Sequence, residues 1–333
     1  MAVAVSLTKF WNYVATSTVE RLAPFIADNA TARIFALNAL IDAGMQQEVP
    51  GGNELYFPVL KELQTAQAYS DLDPLDVSRA DPTTVAKYNW KQLAVPVMIS
   101  GRDMAINSGD DVAITRVMDL FVESAVLGLR DGLANSTTGI MSDNGESDKG
   151  ITGLQNLITH TSNAAPTSGS PGGLDRSVYS FWRNQVADVA DDFSANGITQ
   201  MHTLYNACTR GDEKPDVIVL TRSTFNNYLI NLQGTFTTNF PLTGSLGKLD
   251  AGKAEISFND AILGFDDYTA ADHGYFLNSR YLHYVVHPMR NIEMGALVKP
   301  SNQDALVGHM LFMGNLCMSN QARQGLLRRG DTN

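Results

Sequence analysis

Two histidines, His283 and His287, have the spacing at which a pair of side chains could bind one metal ion. They lie four residues apart in "LHYVVH", which puts both on the same side of either a strand or a helix. A zinc ion would need two further ligands, and the sequence contains neither C-x-x-C nor H-E-x-x-H. We therefore expect the pair to be packed or interfacial, and we predict no metal ion and no cofactor.

Motifs for nucleophilic or acid–base catalysis are equally weak. "SLTK" at residues 6–9 matches the S-x-x-K pattern of some acyl enzymes, but the K-T-G motif that accompanies it there is missing. Adjacent acids occur at Asp110–Asp111, Asp191–Asp192 and Asp266–Asp267, without the spacing of a calcium-binding loop. Such pairs are usually solvated or cap a helix. We predict no catalytic residue, and hence that the chain is not an enzyme.

The run "GGLDRSVYSFWRNQ", residues 172–185, combines three aromatic residues with two arginines. Tyr179, Phe181 and Trp182 could stack on the bases of a single-stranded nucleic acid. Alternatively, the aromatic rings fill a junction between domains and the arginines meet acids across a contact. The second interpretation is favoured because no cluster of Lys and Arg surrounds the run. The overlapping run "RSVYSFWRNQVAD", residues 176–188, alternates well enough to predict an extended strand, although a helical turn fits as well.

The totals indicate an ordered protein that repels nucleic acid. The 333 residues contain 35 acids and 24 bases, for a net charge of -11, and such a surface disfavours general binding to phosphate backbones. No segment approaches the roughly 20 apolar residues of a membrane span, and the N-terminus does not resemble a signal peptide. Two isolated cysteines fit a reducing compartment. We expect a protein made in the cytosol that does not enter a membrane.

The elements that would position these residues begin with two extended runs. "GGNELYFPVLKEL" contains Pro58, which suggests an edge strand or a bulge. A polar stretch over residues 64–84 separates it from "VAKYNWKQLAVPVMIS". The simplest pairing of the two runs is a long hairpin with a large tip. Because a two-stranded hairpin is marginal in water, we expect it to lie across a neighbouring subunit.

The period of the pattern then changes. Apolar and small residues recur at helical spacing from Ile114 to Leu129, and they predict a long rod-like helix over residues 109–134. From residue 194 the pattern is that of an α/β unit, in which "DVIVLT" is a strand buried on both faces and Ser223 caps a second helix. Mostly strands follow from about residue 254. The fold class is therefore α+β.

The order of these parts resembles that of the major capsid proteins of tailed bacteriophages, the Hong Kong 97-type fold. Four segments carry the resemblance: "YNWKQLAVPVMISGRDMAINSGDD", "KGITGLQNLI", "GGLDRSVYSFWRNQVAD" and "HGYFLNSRYLHYVV". The resemblance implies an N-arm at 1–50, an extended E-loop hairpin at 51–97, a peripheral domain at 98–185 with its spine helix at 109–134, an axial domain at 186–290, and return strands at 291–333.

The function implied by the resemblance is self-assembly, as hexamers and pentamers, into the icosahedral head shell that holds packaged double-stranded DNA. The shell would belong to the virion, would form in the host cytoplasm, and would enclose DNA without sequence-specific binding. A separate scaffolding protein, a portal and a decoration protein are the implied partners. The alternatives are a cargo nanocompartment of the same fold and a soluble hydrolytic enzyme. We predict intersubunit contacts at Phe10, Trp11, Tyr56, Phe57, Leu72 and Trp90.

Overall fold

The computed structural model describes residues 34–63, 66–71, 73, 81–106, 111–189, 193–239 and 256–329. Its α-helices are α1 (Ala36–Asp42), α2 (Gly101–Ile106), α3 (Asp111–Ala134), α4 (Leu154–Leu157), α5 (Phe193–Cys208) and α6 (Arg222–Asn239). Its strands are β1 (Gln46–Glu48), β2 (Glu54–Leu60), β3 (Thr83–Asn89), β4 (Lys91–Ser100), β5 (Gln185–Val189), β6 (Val217–Leu220), β7 (Ile256–Phe258), β8 (Ala261–Phe265), β9 (His273–Leu277), β10 (Leu282–Val286), β11 (Glu293–Met294), β12 (Ala305–Met318) and β13 (Gly325–Arg329). The mixture of segregated helices and mainly antiparallel strands confirms the α+β class.

The described residues form two compact units. The first comprises the described parts of Leu93–Gly132 and Met289–Phe312. The second comprises those of Arg33–Gln92, Leu133–Pro288 and Met313–Asn333. The chain therefore passes between the units several times, within α3, β4 and β12 among other places.

In the first unit, strand β4 pairs with β12, which also pairs with β11. Helix α3 has 24 residues, which at 1.5 Å per residue gives a rod of about 36 Å. Ala125 and Leu129 are buried along it, in agreement with the apolar stripe in the sequence. At the start of α2 the Gly101 N–H donates to the Asp304 carbonyl at 2.8 Å, and a Cβ on Gly101 would lie 2.3 Å from the Asp304 carboxylate. A larger residue at this position would displace the exposed Asp304 carboxylate.

The second unit contains a six-stranded sheet in the order β5-β13-β9-β6-β8-β7. Strand β6 is buried along its whole length, as its apolar sequence predicts, since it pairs on both sides, parallel to β8 and antiparallel to β9. Helix α5 packs Met201, Leu204 and Cys208 into the core beneath the sheet. The predicted cap of α6 is wrong. Thr221, rather than Ser223, precedes the helix and accepts the Thr224 N–H on its hydroxyl.

Two smaller groups of strands complete the second unit. Strand β10 pairs parallel with β1 and antiparallel with the end of β12, from Met313 onward. Strands β2 and β3 form a separate antiparallel hairpin with Glu54 opposite Asn89 and Leu60 opposite Thr83. Their pairing ends at Asn89, and β4 begins as a separate strand at Lys91. The hairpin predicted from the sequence is therefore present, and its paired part is seven residues long on each strand.

The strand predicted over residues 176–188 is wrong for most of the run, and only its end, from Gln185, is in a strand. Residues Pro171–Gly173 and Ser180–Trp182 are short 3-10 turns, and the strand begins only at Gln185. Gly172 and Gly173 have φ of 63° and 75°, and the Asp175 carboxylate accepts the Ser177 N–H at 2.8 Å. These local turns override the alternation of the sequence, and the alternative of a helical turn is the one observed.

Candidate functional site

The β2–β3 hairpin has two chemically different faces. On the inner face Leu55, Val59, Ala86 and Tyr88 are buried. On the outer face three apolar side chains lie in solvent: Tyr56 is 56% exposed, Leu60 58% and Val85 40%. The strand register places Pro58 opposite Val85 on that same face. The outer face is thus a continuous apolar strip, and we call it the hairpin strip.

The inner face is tied to the rest of the second unit by hydrogen bonds from distant parts of the chain. The Tyr88 hydroxyl donates to the Met318 carbonyl at 2.9 Å. The Asn315 side-chain amide donates to the Asn89 carbonyl at 2.8 Å, and the Asn89 N–H donates to the Glu146 carboxylate at 2.8 Å. Burial raises the pKa of Glu146. These bonds fix the base of the hairpin, so the hairpin strip has a defined orientation within the unit.

Lys91, directly after the hairpin, is a buried cation that no sequence pattern singled out. Its side chain is 5% exposed, and its ammonium donates to the carbonyls of Gly145, Glu146 and Asp148. Three carbonyl acceptors match the three donors of an ammonium group. Lys91 therefore holds the 145–148 loop against the end of the hairpin.

Replacing Lys91 with methionine should lower the free energy of unfolding by about 2–3 kcal/mol, because three carbonyls lose their hydrogen bonds to the charged donor of a buried side chain. Lys87→Met is the matched control. Lys87 is exposed on the outer face, where its ammonium lies over the Tyr56 ring, and surface changes of this kind usually cost less than about 0.5 kcal/mol. Urea unfolding followed by circular dichroism measures both variants. Equal losses would contradict the role given to Lys91.

The predicted contact residues differ in their surroundings. Tyr56 belongs to the hairpin strip. Phe57 stacks on His283, with ring centroids 4.8 Å apart and planes at 11°. The Trp90 indole donates to the Gly52 carbonyl at 2.9 Å and lies edge-on to His287. Phe10, Trp11 and Leu72 fall outside the described residues. An intersubunit role for the six remains a prediction.

The histidine pair His283 and His287 packs on the hairpin. Each ring meets an aromatic side chain, and the His283 nitrogens lie 3.0 Å from the Gln47 amide and 3.1 Å from the Ser319 hydroxyl. Among the described residues no group of three or more His, Cys, Asp or Glu side chains could hold a metal ion. The packed role favoured by the sequence is the one observed.

The aromatic run around Trp182 is part of the core. Trp182 is fully buried and donates to the Pro171 carbonyl at 2.8 Å, so it cannot stack on a base. The expectation that Arg176 meets an acid is wrong. Its buried guanidinium donates to the Gln321 side-chain carbonyl at 2.7 Å and to the Leu157 carbonyl at 2.6 Å. Without a carboxylate to offset its burial, the pKa of Arg176 falls to about 10.

The acid pairs have structural partners where they are described. Asp266 is buried and accepts the backbone N–H groups of Phe35 and Ala36 at 2.8 and 2.9 Å, which caps the start of α1. Burial raises the pKa of Asp266. Asp267 pairs with Arg222 at 2.7 Å. The described residues do not include Asp110, the pair Asp191–Asp192 or the "SLTK" motif.

Removing the Asp266 cap should destabilise the second unit. Asp266→Ala leaves two N–H groups at the start of α1 without an acceptor, and we expect a loss of about 1–3 kcal/mol in the free energy of unfolding. Asp267→Ala removes an ion pair whose Arg222 side chain is largely exposed, and it should cost less than about 1 kcal/mol. Thermal unfolding of the two variants compares their losses of stability. A larger loss in the Asp267 variant would contradict the capping role given to Asp266.

A tripeptide overlooked in the sequence, Ser142–Asn144, has the S-D-N order found in some acyl enzymes. Its first residue is buried, and its hydroxyl donates to the Ile151 carbonyl at 3.3 Å. The Asn144 N–H donates to the same hydroxyl, and the Asn144 side chain donates to the Thr137 carbonyl. These bonds build a turn, and the Ser142 hydroxyl is not directed at solvent.

In the described part of the chain no helix is long and apolar enough to span a membrane.

Three solved structures share the architecture over almost the whole chain. The capsid asymmetric unit of Cyanophage A-1(L) is 12% identical and covers 95% of this chain and 98% of its own, with a TM-score of 0.62. The capsid of a native GTA particle is 12% identical at a TM-score of 0.56, with 96% and 98% covered. The capsid of Myoviridae phage XM1 is 13% identical at 0.54, with 93% and 96% covered.

No protein-family profile and no curated protein sequence matches the chain. The sequence identities to these three structures are too low for a reliable sequence alignment. The structural similarity shows that the fold is shared although the sequences differ. The fold is the Hong Kong 97-type capsid fold, as the resemblance in the sequence implied.

Proposed function

We propose that this chain is a major capsid protein of a tailed bacteriophage and assembles with copies of itself into the icosahedral head shell that encloses packaged double-stranded DNA. The observation that carries the proposal is the end-to-end match with a phage capsid subunit, in which 95% of this chain and 98% of the other are covered. Coverage of that extent leaves little of either chain for a separate domain with another function.

The hairpin strip supports a contact between copies of the chain. A two-stranded ribbon is marginal on its own, and here its outer face carries the exposed Tyr56, Leu60 and Val85. Both strands also have an edge that no described strand pairs with. Exposed apolar strips and free strand edges favour association. In hexamers and pentamers, this strip would be covered by a neighbouring subunit, with Tyr56 as its central anchor.

The net charge of -11 suits a container for DNA. An excess of acids on the inner wall would keep the duplex from adhering, so that it could slide during filling and release. Enclosure without sequence-specific binding follows from the same charge. The shell would be assembled in the host cytoplasm and would then form part of the virion.

Further partners belong to the proposal. We infer a separate scaffolding protein, a portal and a decoration protein as partners. The three solved structures are capsids of phages or of a GTA particle, which favours a DNA-holding shell over a cargo nanocompartment of the same fold. A soluble hydrolytic enzyme would need a nucleophile beside a base, and the candidates among the described residues, Ser142, Asp266 and Asp267, are engaged in structural hydrogen bonds.

Electron microscopy of the full-length chain, purified alone and after co-expression with the neighbouring genes of its source genome, tests the proposal. We expect closed shells of uniform size in the co-expressed sample. Uniform shells from the chain alone would refute the need for a separate scaffolding protein. A monodisperse monomer in both samples, at millimolar concentration, would overturn the proposed function itself.

A further inference from the structure

The histidines of β10 support the hairpin through its aromatic residues. The His283 ring lies face to face with Phe57 of β2, at 4.8 Å and 11°. The His287 ring lies 5.8 Å from Trp90 at 70°. Histidine is the side chain whose charge changes most readily between pH 5 and pH 8. The base of the hairpin therefore rests on two imidazole rings, of which His283 lies against the hairpin itself.

The hydrogen bonds of His283 select its neutral form. The nitrogen of the Gln47 side-chain amide lies 3.0 Å from Nδ1, and an amide nitrogen can only donate. With the amide in this orientation Nδ1 is the acceptor, and the ring proton lies on Nε2, 3.1 Å from the Ser319 hydroxyl that can accept it. A second proton, on Nδ1, would face the N–H of Gln47 and break the hydrogen bond in this orientation of the amide.

The side chains around His283 bring no carboxylate that would favour an imidazolium ion. Strand β12 places Cys317 opposite His283, and burial holds the pKa of that thiol well above its ordinary value. Strand β1 contributes Gln47, and alternation puts its charged neighbour Glu48 on the other face. Strand β2 contributes Phe57, and Glu54 lies on the outer face of the hairpin by the same rule. Burial lowers the pKa of His283.

The charged groups packed against the rest of the hairpin have partners of their own. The Glu146 carboxylate accepts the Asn89 N–H and the Thr152 hydroxyl. The ammonium of Lys91 is held by three carbonyls, and Lys87 lies over Tyr56 on the outer face. The guanidinium of Arg176 is bonded to Gln321. None of these contacts involves the His283 ring.

We propose that His283 is one proton-sensitive anchor of the β2–β3 hairpin: the neutral ring contacts Gln47 of β1 and Phe57 of β2, and protonation weakens these contacts and loosens the hairpin. A cation gains attraction from the face of an aromatic ring, so the Phe57 contact offsets part of the cost of charging the ring. The bonds of Tyr88 and Asn89 still hold the base of the hairpin. Only the step from a looser hairpin to a looser contact between subunits rests on the proposed function.

The direction of the pH effect follows from the two protonation states. An unfolded or detached His283 has an ordinary pKa of about 6.5, and the anchored ring has a lower one. The anchor is therefore fully effective above about pH 6.5, and its contribution is lost progressively as the pH falls below that value toward the pKa of the anchored ring. Mild acid should loosen the hairpin while the six-stranded sheet stays folded.

Hydrogen exchange measured by mass spectrometry on the unassembled full-length chain, at pH 7.5 and pH 5.5, tests the anchor. After correction for the chemical exchange rate, amides of Glu54–Leu60 and Thr83–Asn89 should exchange at least about threefold faster at pH 5.5. Amides of Val217–Leu220, in the six-stranded sheet, serve as the internal reference and should not change.

Two variants remove the titrating group in different ways. His283→Phe keeps an aromatic ring against Phe57, and His283→Asn keeps an acceptor for Gln47; in both, hairpin exchange should no longer depend on pH. His309→Asn, at an exposed histidine of β12, should behave as wild type. A wild-type hairpin without acid-induced exchange, or an equal increase in both His283 variants, would overturn the anchor. Because shell formation is not measured, neither result bears on the proposed function.

Discussion

A charge placed on the hairpin strip, as in Tyr56→Asp, is expected to abolish shell formation while the subunit stays folded. Tyr56 is 56% exposed in the isolated chain, so aspartate there costs the subunit little. In the proposed shell the same carboxylate would be removed from water in an apolar contact, together with Lys87, its cross-strand neighbour. The cost of removing both charges from water can exceed the attraction between them, so the change remains costly to the interface.

The expected yield of particles for Tyr56→Asp is below about one hundredth of that of wild type, since a loss of 2–4 kcal/mol at a central contact is repeated at every copy. Negative-stain microscopy and sedimentation measure the yield, and circular dichroism checks the fold. Tyr56→Phe, which keeps the ring and removes only the hydroxyl, should assemble normally. Abundant closed shells from Tyr56→Asp would show that the strip does not form the contact.

The second large effect is expected in the core, for Trp182→Ala. The indole is fully buried and donates to the Pro171 carbonyl, so truncation leaves both a cavity and an unsatisfied acceptor. Losses of about 3–5 kcal/mol are typical for a buried tryptophan. Because whole domains are stable by only about 5–15 kcal/mol, this variant should be largely unfolded at moderate urea concentrations.

Urea unfolding followed by circular dichroism is the appropriate measurement, because fluorescence would change with the loss of the tryptophan itself. Phe181→Ala is the matched control: the neighbouring ring is only partly buried, and its loss should be smaller by at least about 1 kcal/mol. Similar midpoints for wild type and Trp182→Ala would show that Trp182 does not have the central core role given to it.

Periodic segments were predictable from the sequence. Strand β6 and helix α5 follow directly from a wholly apolar run and from residues at helical spacing. The pairing of β2 with β3 also follows, and Pro58 lies in an edge strand, where a missing N–H costs little. In each case a local pattern, repeated over several residues, determines which face is buried.

The buried polar residues were not predictable, because their partners lie far away in the chain. Lys91 bonds carbonyls more than 50 residues away, Arg176 bonds Gln321, and Asp266 caps a helix 230 residues earlier. No spacing or composition marks such contacts. Trp90 shows the same limit: an aromatic residue expected to need a partner in another subunit has Gly52 and His287 of its own chain beside it.

The anchors of the hairpin have a consequence for the order in which the chain is made. The hairpin strands end at Asn89, but Asn315 and Met318, which bond Asn89 and Tyr88, lie more than 220 residues later. A ribosome must therefore translate more than 220 further codons after Asn89 before these two bonds can form. Products that end earlier lack both bonds, so their hairpin lacks part of the fixed geometry that the proposed shell requires.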